Sequence, residues 1–248
     1  MLRPPPAAPD SVGSFECAEE SAHYAFSVQL LLTQYASLVP WRQEGVAELG
    51  SGDARAIGQV VRTQPGLRVH GTDISATSVQ RARESIAELG VADRYTVELG
   101  DFFEWADSPA GQRIATAIAN PPYLPAPDGD LLMPELWGGE HGNDLVLRLL
   151  KAGFEHVLVA LPSYSDPAET LSTAAHLGYR VANFLAMGLE FGRYSREPKV
   201  LRHIQQLVAE GRGWAGDDEY VVAVALLTRS PEVRDRSDQV RRALQLPG

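Results

Sequence analysis

The chain has 248 residues, 44% hydrophobic and 22% charged, with 32 acidic side chains against 22 basic ones and a net charge of −10. That acidity weighs against a long nucleic acid as partner, because phosphate neutralisation by basic residues supplies most of such affinity. Cys17 is the only cysteine, which excludes an internal disulfide and a cysteine-built metal centre, and no metal is expected. No apolar run is long enough to span a bilayer, and residues 1–15, with three successive prolines at 4–6, read as a disordered lead-in without a secretory signal core. These features suggest a cytoplasmic protein with no membrane partner.

The segment 16–44 is a short helical part, with a helix over His23–Leu38 from the spacing of Tyr24, Val28, Leu31, Leu32 and Tyr35. Val39-Pro40-Trp41 breaks it. Alternation follows: a strand at 45–49, a glycine-rich turn, and a helix over 53–63. A second strand closes on Asp73, and the next helix has Ser75 as N-cap and Gly90 as its stop. A third strand ends at Asp101, and a fourth, 113–119, ends at Asn120-Pro121-Pro122-Tyr123.

Beyond that point "GNDLVLRLLKAGF" is helical, "EHVLVALP" a fifth strand, Asp166–Leu177 a helix, and "YRVANFLAM" a sixth strand. "REPKVLRHIQQLVAEG" forms a helix ahead of the last strand, "EYVVAVALLTR". This order predicts an α/β fold with a mostly parallel seven-stranded sheet, helices on both faces and one antiparallel edge strand. One domain, 16–229, contains an insertion at 189–219. The charged tail, 230–248, is open to readings as a surface helix, a dimer contact or a frayed end, and the oligomeric state is not fixed.

In an open parallel sheet, ligands sit beyond the carboxyl ends of the strands. The first strand ends in Glu48-Leu49-Gly50-Ser51-Gly52-Asp53, where two glycines let backbone turn tightly and a ligand approach it closely. A dinucleotide fingerprint wants a third glycine at position 55, which is Arg55, and Glu48 would repel pyrophosphate but could hold an ammonium group. At the second strand end, Asp73, followed by Ile74, could accept from both hydroxyls of a ribose, or could cap the following helix. The third carries Asp101 and Phe102, an acceptor for an exocyclic amine and a backbone N–H for a ring nitrogen. Asp101 alone would read as a polar turn ahead of core aromatics. Together these ends outline a ligand with an adenosine and an ammonium group but no phosphates, which is S-adenosylmethionine.

The fourth end, Asn120-Pro121-Pro122-Tyr123, resembles the elbow of methyltransferases that act on nitrogen, which implies a nitrogen acceptor. An amide or aromatic amine nitrogen is a poor nucleophile because its lone pair is delocalised, so the protein must align it and favour a tetrahedral nitrogen. The Asn120 side-chain oxygen and the Pro121 carbonyl can accept from its N–H groups and stabilise positive charge developing there. Successive prolines, Pro121 and Pro122, stiffen the elbow and offer no competing donor, while Tyr123 offers a flat face for a planar group.

The elbow in this context resembles class I, Rossmann-like N-methyltransferases. "NPPYLPAPDGDLLMPELWGGEHGNDLVLRLL" further resembles the HemK-like protein-glutamine methyltransferases that modify peptide-chain release factors. The resemblance covers residues 20–190. It implies Glu48, Gly50, Ser51 and Gly52 at the methionine end of the cofactor, Asp73 at the ribose, Ile74 among the cofactor-binding residues, Asp101 and Phe102 framing adenine, Asn120 between cofactor and substrate, and Pro121, Pro122 and Tyr123 in the substrate clamp. Bacterial members carry a helical domain ahead of the glycine loop, where this sequence has the short segment 16–44. The short archaeal and eukaryotic members lack the segment 189–219, whose Arg193, Tyr194, Arg196, Lys199 and Arg202 form a candidate substrate reader or else a solvated amphipathic helix. The expectation is an enzyme that methylates glutamine in a protein such as a release factor. Adenine N6 in RNA or DNA and a small-molecule amine are alternative acceptors, and a non-catalytic methyltransferase-fold partner is the alternative outside enzymes.

Overall fold

The computed structural model describes residues 18–246; the lead-in 1–15 lies outside the described residues. The first helix, α1, is Ala18–Gln34 and begins five residues earlier than the spacing predicted, with Glu19 and Glu20 in its first turn, where acidic groups complement the helix dipole. A four-residue helix, α2 (Trp41–Glu44), follows Pro40 and buries Trp41, whose indole N–H donates to the Leu32 carbonyl at 2.8 Å. Then come β1 (Val46–Leu49), α3 (Arg55–Thr63), β2 (Val69–Asp73), α4 (Ala76–Glu88) and β3 (Tyr95–Leu99). The third strand stops two residues short of Asp101, because Asp101 caps a short helix, α5 (Phe102–Ala106), and ends the extended run.

The chain continues through β4 (Thr116–Ala119), α6 (Asp144–Lys151), β5 (His156–Pro162), α7 (Pro167–His176), β6 (Arg180–Glu190), α8 (Pro198–Ala209), β7 (Glu219–Thr228) and α9 (Ser237–Ala243). Strand order is β3-β2-β1-β4-β5-β7-β6. The antiparallel strand is β7, which pairs with both β5 and β6 and so lies second from that edge, with β6 outermost. β1 and β4 are direct neighbours in parallel register, Leu49 opposite Ala119. The sheet order reverses there, so the ends of these two strands open the crevice where such sheets hold ligands.

Central strands such as β4 are buried along their whole length, as expected of a sheet covered on both faces. One face packs Val28, Leu31, Ile57, Val60, Val79 and Ile204 from α1, α3, α4 and α8. The other packs Phe102, Leu149, Leu150, Leu171, Val240 and Leu244 from α5, α6, α7 and the tail. The tail therefore resolves as a helix docked on the sheet. No helix among the described residues is long and apolar enough to cross a membrane.

Candidate active site

A cavity of about 640 Å³ opens at the β1/β4 crevice. That volume falls within the range of small-molecule sites. The glycine turn forms its floor. Gly50 and Gly52 have φ of +72° and +54°, and no atom lies within 4 Å of where a Cβ would stand on either, so the backbone is bare toward any ligand.

Glu48 lies on the cavity wall yet is only 4% exposed. The Tyr95 hydroxyl donates to its carboxylate. Burial pushes the Glu48 carboxyl up to about 7, and nearby Asp73 and Asp53 push the same way, against the hydrogen bond from Tyr95 that lowers it. Gly71 makes room for this arrangement, since a Cβ there would stand 2.0 Å from the Ser51 hydroxyl. Tyr24, from α1, also lines the cavity, and its buried hydroxyl has no hydrogen-bond partner.

The other strand ends are less uniformly disposed. Asp73 stands behind the wall: one oxygen accepts from the Gly52 N–H at 3.0 Å and the other from the Ser75 N–H at 2.9 Å. It thus braces two residues that line the cavity, one oxygen turned to the start of the following helix and the other to the glycine turn; each retains acceptor capacity. Ile74 is 82% exposed and Leu99, at the end of β3, is 56% exposed, an apolar shelf at the strand tips. Leu99 was not singled out from the sequence.

Asp101 and Phe102 do not line the cavity. One Asp101 oxygen accepts from the N–H groups of Phe103 and Glu104, at 2.7 and 3.2 Å, while the other faces Arg148 at 3.4 Å. The Phe102 ring is buried against Phe154 in the opposite core and frames no ligand, which corrects the expectation for its side chain. Its main chain alone stays at the strand tip.

Asn120, Pro121, Pro122 and Tyr123 all lie on the cavity wall with Glu48 and the glycine turn. The Asn120 Nδ2 donates to Glu20 at 3.1 Å, and its Oδ1 is a buried acceptor with no partner. Tyr123 is only 7% exposed, its hydroxyl donates to Glu20, and its ring packs edge-on to Tyr164. Its ring is therefore a fixed wall, more enclosed than the open stacking face expected.

The glycines after the elbow have a structural cause. A Cβ on Gly138 would come within 2.6 Å of the Tyr123 Cα, and one on Gly142 within 2.4 Å of the Tyr123 carbonyl oxygen. The loop returns against the elbow and clamps it, aided by a hydrogen bond from the Ser165 hydroxyl to that carbonyl at 2.9 Å.

The segment 189–219 divides in two. Glu190, Gly192, Tyr194 and Ser195 reach the cavity wall, whereas Val200, Ile204 and Leu207 on α8 pack into the core. Arg196 pairs with Asp218 at 2.6 Å and Lys199 with Asp128, so these two candidate readers are engaged in tying the segment down. Arg212 binds Asp166 and Glu169 beside His141. Its guanidinium already neutralises that acidic cluster.

No family model matches the chain. It is similar to the release factor glutamine methyltransferase of Moorella thermoacetica, 34% identical over 89 residues that make up 36% of this chain and 30% of that protein. It is also similar to the ribosomal protein uL3 glutamine methyltransferase of Bradyrhizobium diazoefficiens, 33% identical over 102 residues, 38% of this chain and 31% of that one. The chain spans about a third of the length of these curated relatives. Among solved structures, a candidate RNA methyltransferase from Pyrococcus horikoshii matches with a TM-score of 0.52 at 14% identity, over 84% of this chain and 82% of that one. The fold is the Rossmann-like fold of methyltransferases.

Proposed function

We propose that this protein is an S-adenosylmethionine-dependent N-methyltransferase whose acceptor is the side-chain amide of a glutamine in a protein substrate. The observation that carries this reading is the Asn120 Oδ1, a buried acceptor without a partner, on a stiff strand-end elbow beside a bare glycine turn. A buried acceptor left unmade is costly, and an N–H of the substrate would satisfy it.

The residues present fit the cofactor. Glu48 would hold its ammonium group, and the main chain of Gly50, Ser51 and Gly52 its methionine end. Asp73 would take the ribose hydroxyls on the lone pairs its two backbone bonds leave free. Ile74, the Asp101 carboxylate and the Phe102 main chain would hold the purine. Once bound, S-adenosylmethionine supplies a methyl group activated by a sulfonium.

The chain's own work is positioning. Asn120 Oδ1 and the Pro121 carbonyl accept the two N–H bonds of the substrate amide, which turns its nitrogen toward the cofactor and stabilises charge that develops on it. Pro121, Pro122 and Tyr123, clamped by the returning loop, hold those acceptors still. An N–C bond forms, the S–C bond breaks, and one amide hydrogen leaves as a proton. Glu190, Tyr194 and Ser195 belong to the substrate side of the cavity, and we assign the segment 189–219 to recognition of the protein around the glutamine. The meeting of Glu48, the glycine turn and the Asn120 elbow on one cavity supports an enzyme over a non-catalytic partner.

The test is transfer of a radiolabelled methyl group from S-adenosylmethionine into a lysate separated into protein, RNA and metabolite fractions. Label in protein, recovered as N-methylglutamine after digestion, is expected. Label confined to RNA or to metabolites would refute the assigned acceptor, and no label with an intact cofactor site would refute the enzyme.

A further inference from the structure

We propose that Glu20 is a positioning residue that decides which end of the Asn120 amide is left to the substrate. The inference rests on the reading of Asn120 above, and concerns how its orientation is set.

Glu20 is 1% exposed, in the first turn of α1, a hundred residues from the elbow it touches. One of its oxygens accepts from Asn120 Nδ2 at 3.1 Å; the other accepts from the hydroxyls of Tyr220, at 2.9 Å, and Tyr123. Three donors from the elbow and β7 therefore converge on one carboxylate. An ionised carboxylate only accepts, and a primary amide presents an oxygen or a nitrogen of nearly the same shape. Only the NH₂ end of Asn120 can face Glu20, since the reverse orientation would oppose two acceptors. The oxygen end is then fixed on the other side, where it is unpartnered. The site becomes selective for a substrate group that donates N–H and rejects one that only accepts.

The atom-by-atom bonding makes a sharp test. In Glu20→Gln the new carbonyl oxygen remains with the two tyrosine hydroxyls, which leaves the new NH₂ group facing Asn120. Asn120 then satisfies it by turning its own oxygen inward. The variant protein should keep its dissociation constant for S-adenosylhomocysteine and its KM for substrate within about twofold, while kcat falls by about tenfold or more. In an Asn120→Ala background the same change should cost nothing further, because it acts only through the lost side chain. Multiplying costs in the double variant would overturn the proposal, as would a kcat equal to that of the unaltered protein.

A second readout needs no turnover. In the ligand-free, unaltered protein the Asn120 side-chain NH₂ resonances, assigned by their loss in Asn120→Ala, should exchange slowly with solvent and show coupling across the hydrogen bond to Glu20. In Glu20→Gln these resonances should shift and exchange faster. Resonances that exchange freely in the unaltered protein would overturn the role of Glu20 even if Glu20→Gln fails to fold, and even if no methyl transfer is found.

Discussion

Replacing Glu48 by glutamine separates the cost of the site from its use. Its carboxyl has an ordinary value of 4.5 and is raised to about 7, chiefly by burial. The folded protein therefore holds the proton more tightly than the unfolded chain between those two values, and stability is fully present below pH 4.5 and falls as pH rises through 7. The rise from 4.5 to about 7 corresponds to roughly 3 kcal/mol by pH 8. Glu48→Gln removes the buried charge and keeps the shape, so the ligand-free variant should melt several degrees higher than the unaltered protein at pH 8, with little difference at pH 4.5. Cofactor binding should move the other way. If Glu48 holds the ammonium group as proposed, binding is best with Glu48 ionised, so calorimetric titration with S-adenosylhomocysteine should show affinity rising toward pH 7 and levelling above it. Glu48→Gln should bind roughly 10- to 100-fold more weakly at pH 8, the scale of a lost charge-assisted hydrogen bond, without that rise. Matching pH profiles for the two proteins, in melting or in affinity, would refute the argument.

Asn120→Ala should leave S-adenosylhomocysteine affinity in place and slow methyl transfer by roughly 10²–10³-fold, the scale for one preorganised polar contact; single-turnover kinetics reads this. Asp73→Ala removes two backbone braces and the proposed ribose acceptor together, so calorimetry should find weaker cofactor binding, and thermal denaturation a lower midpoint. Gly142→Ala places a Cβ 2.4 Å from the Tyr123 carbonyl oxygen at a φ of +81°, which must displace the elbow. It should lower both melting temperature and kcat, and an unchanged kcat would deny the loop its clamping role.

The strand ends were legible because their chemistry is local. Alternation of apolar runs with helical spacing gave the order of elements, and Ser75, Gly90 and the Gly50–Gly52 turn act where their residue types require. The Asn120 elbow could be placed because two prolines stop a strand wherever they occur. Glu20 was missed because its role depends on a contact spanning a hundred residues. A signal was present: Glu20 falls on the same helical stripe as Tyr24, Val28 and Leu31, all buried, and an acid on an apolar stripe calls for a partner. Asp101 is harder to read, since an acid at a strand tip can cap a helix or meet a ligand with the same atoms, and the cap is what the fold displays. The position of β7 inside β6 was equally out of reach, because strand order depends on long-range pairing that neither strand's composition encodes.

A crystal structure of the complex with S-adenosylhomocysteine and a glutamine-bearing peptide bears most directly on the account. The nucleoside should lie across the tips of β1, β2 and β3, with the thioether sulfur facing a glutamine nitrogen hydrogen-bonded to Asn120 Oδ1. A nucleoside bound elsewhere, or an Asn120 whose NH₂ end faces that nitrogen, would contradict it.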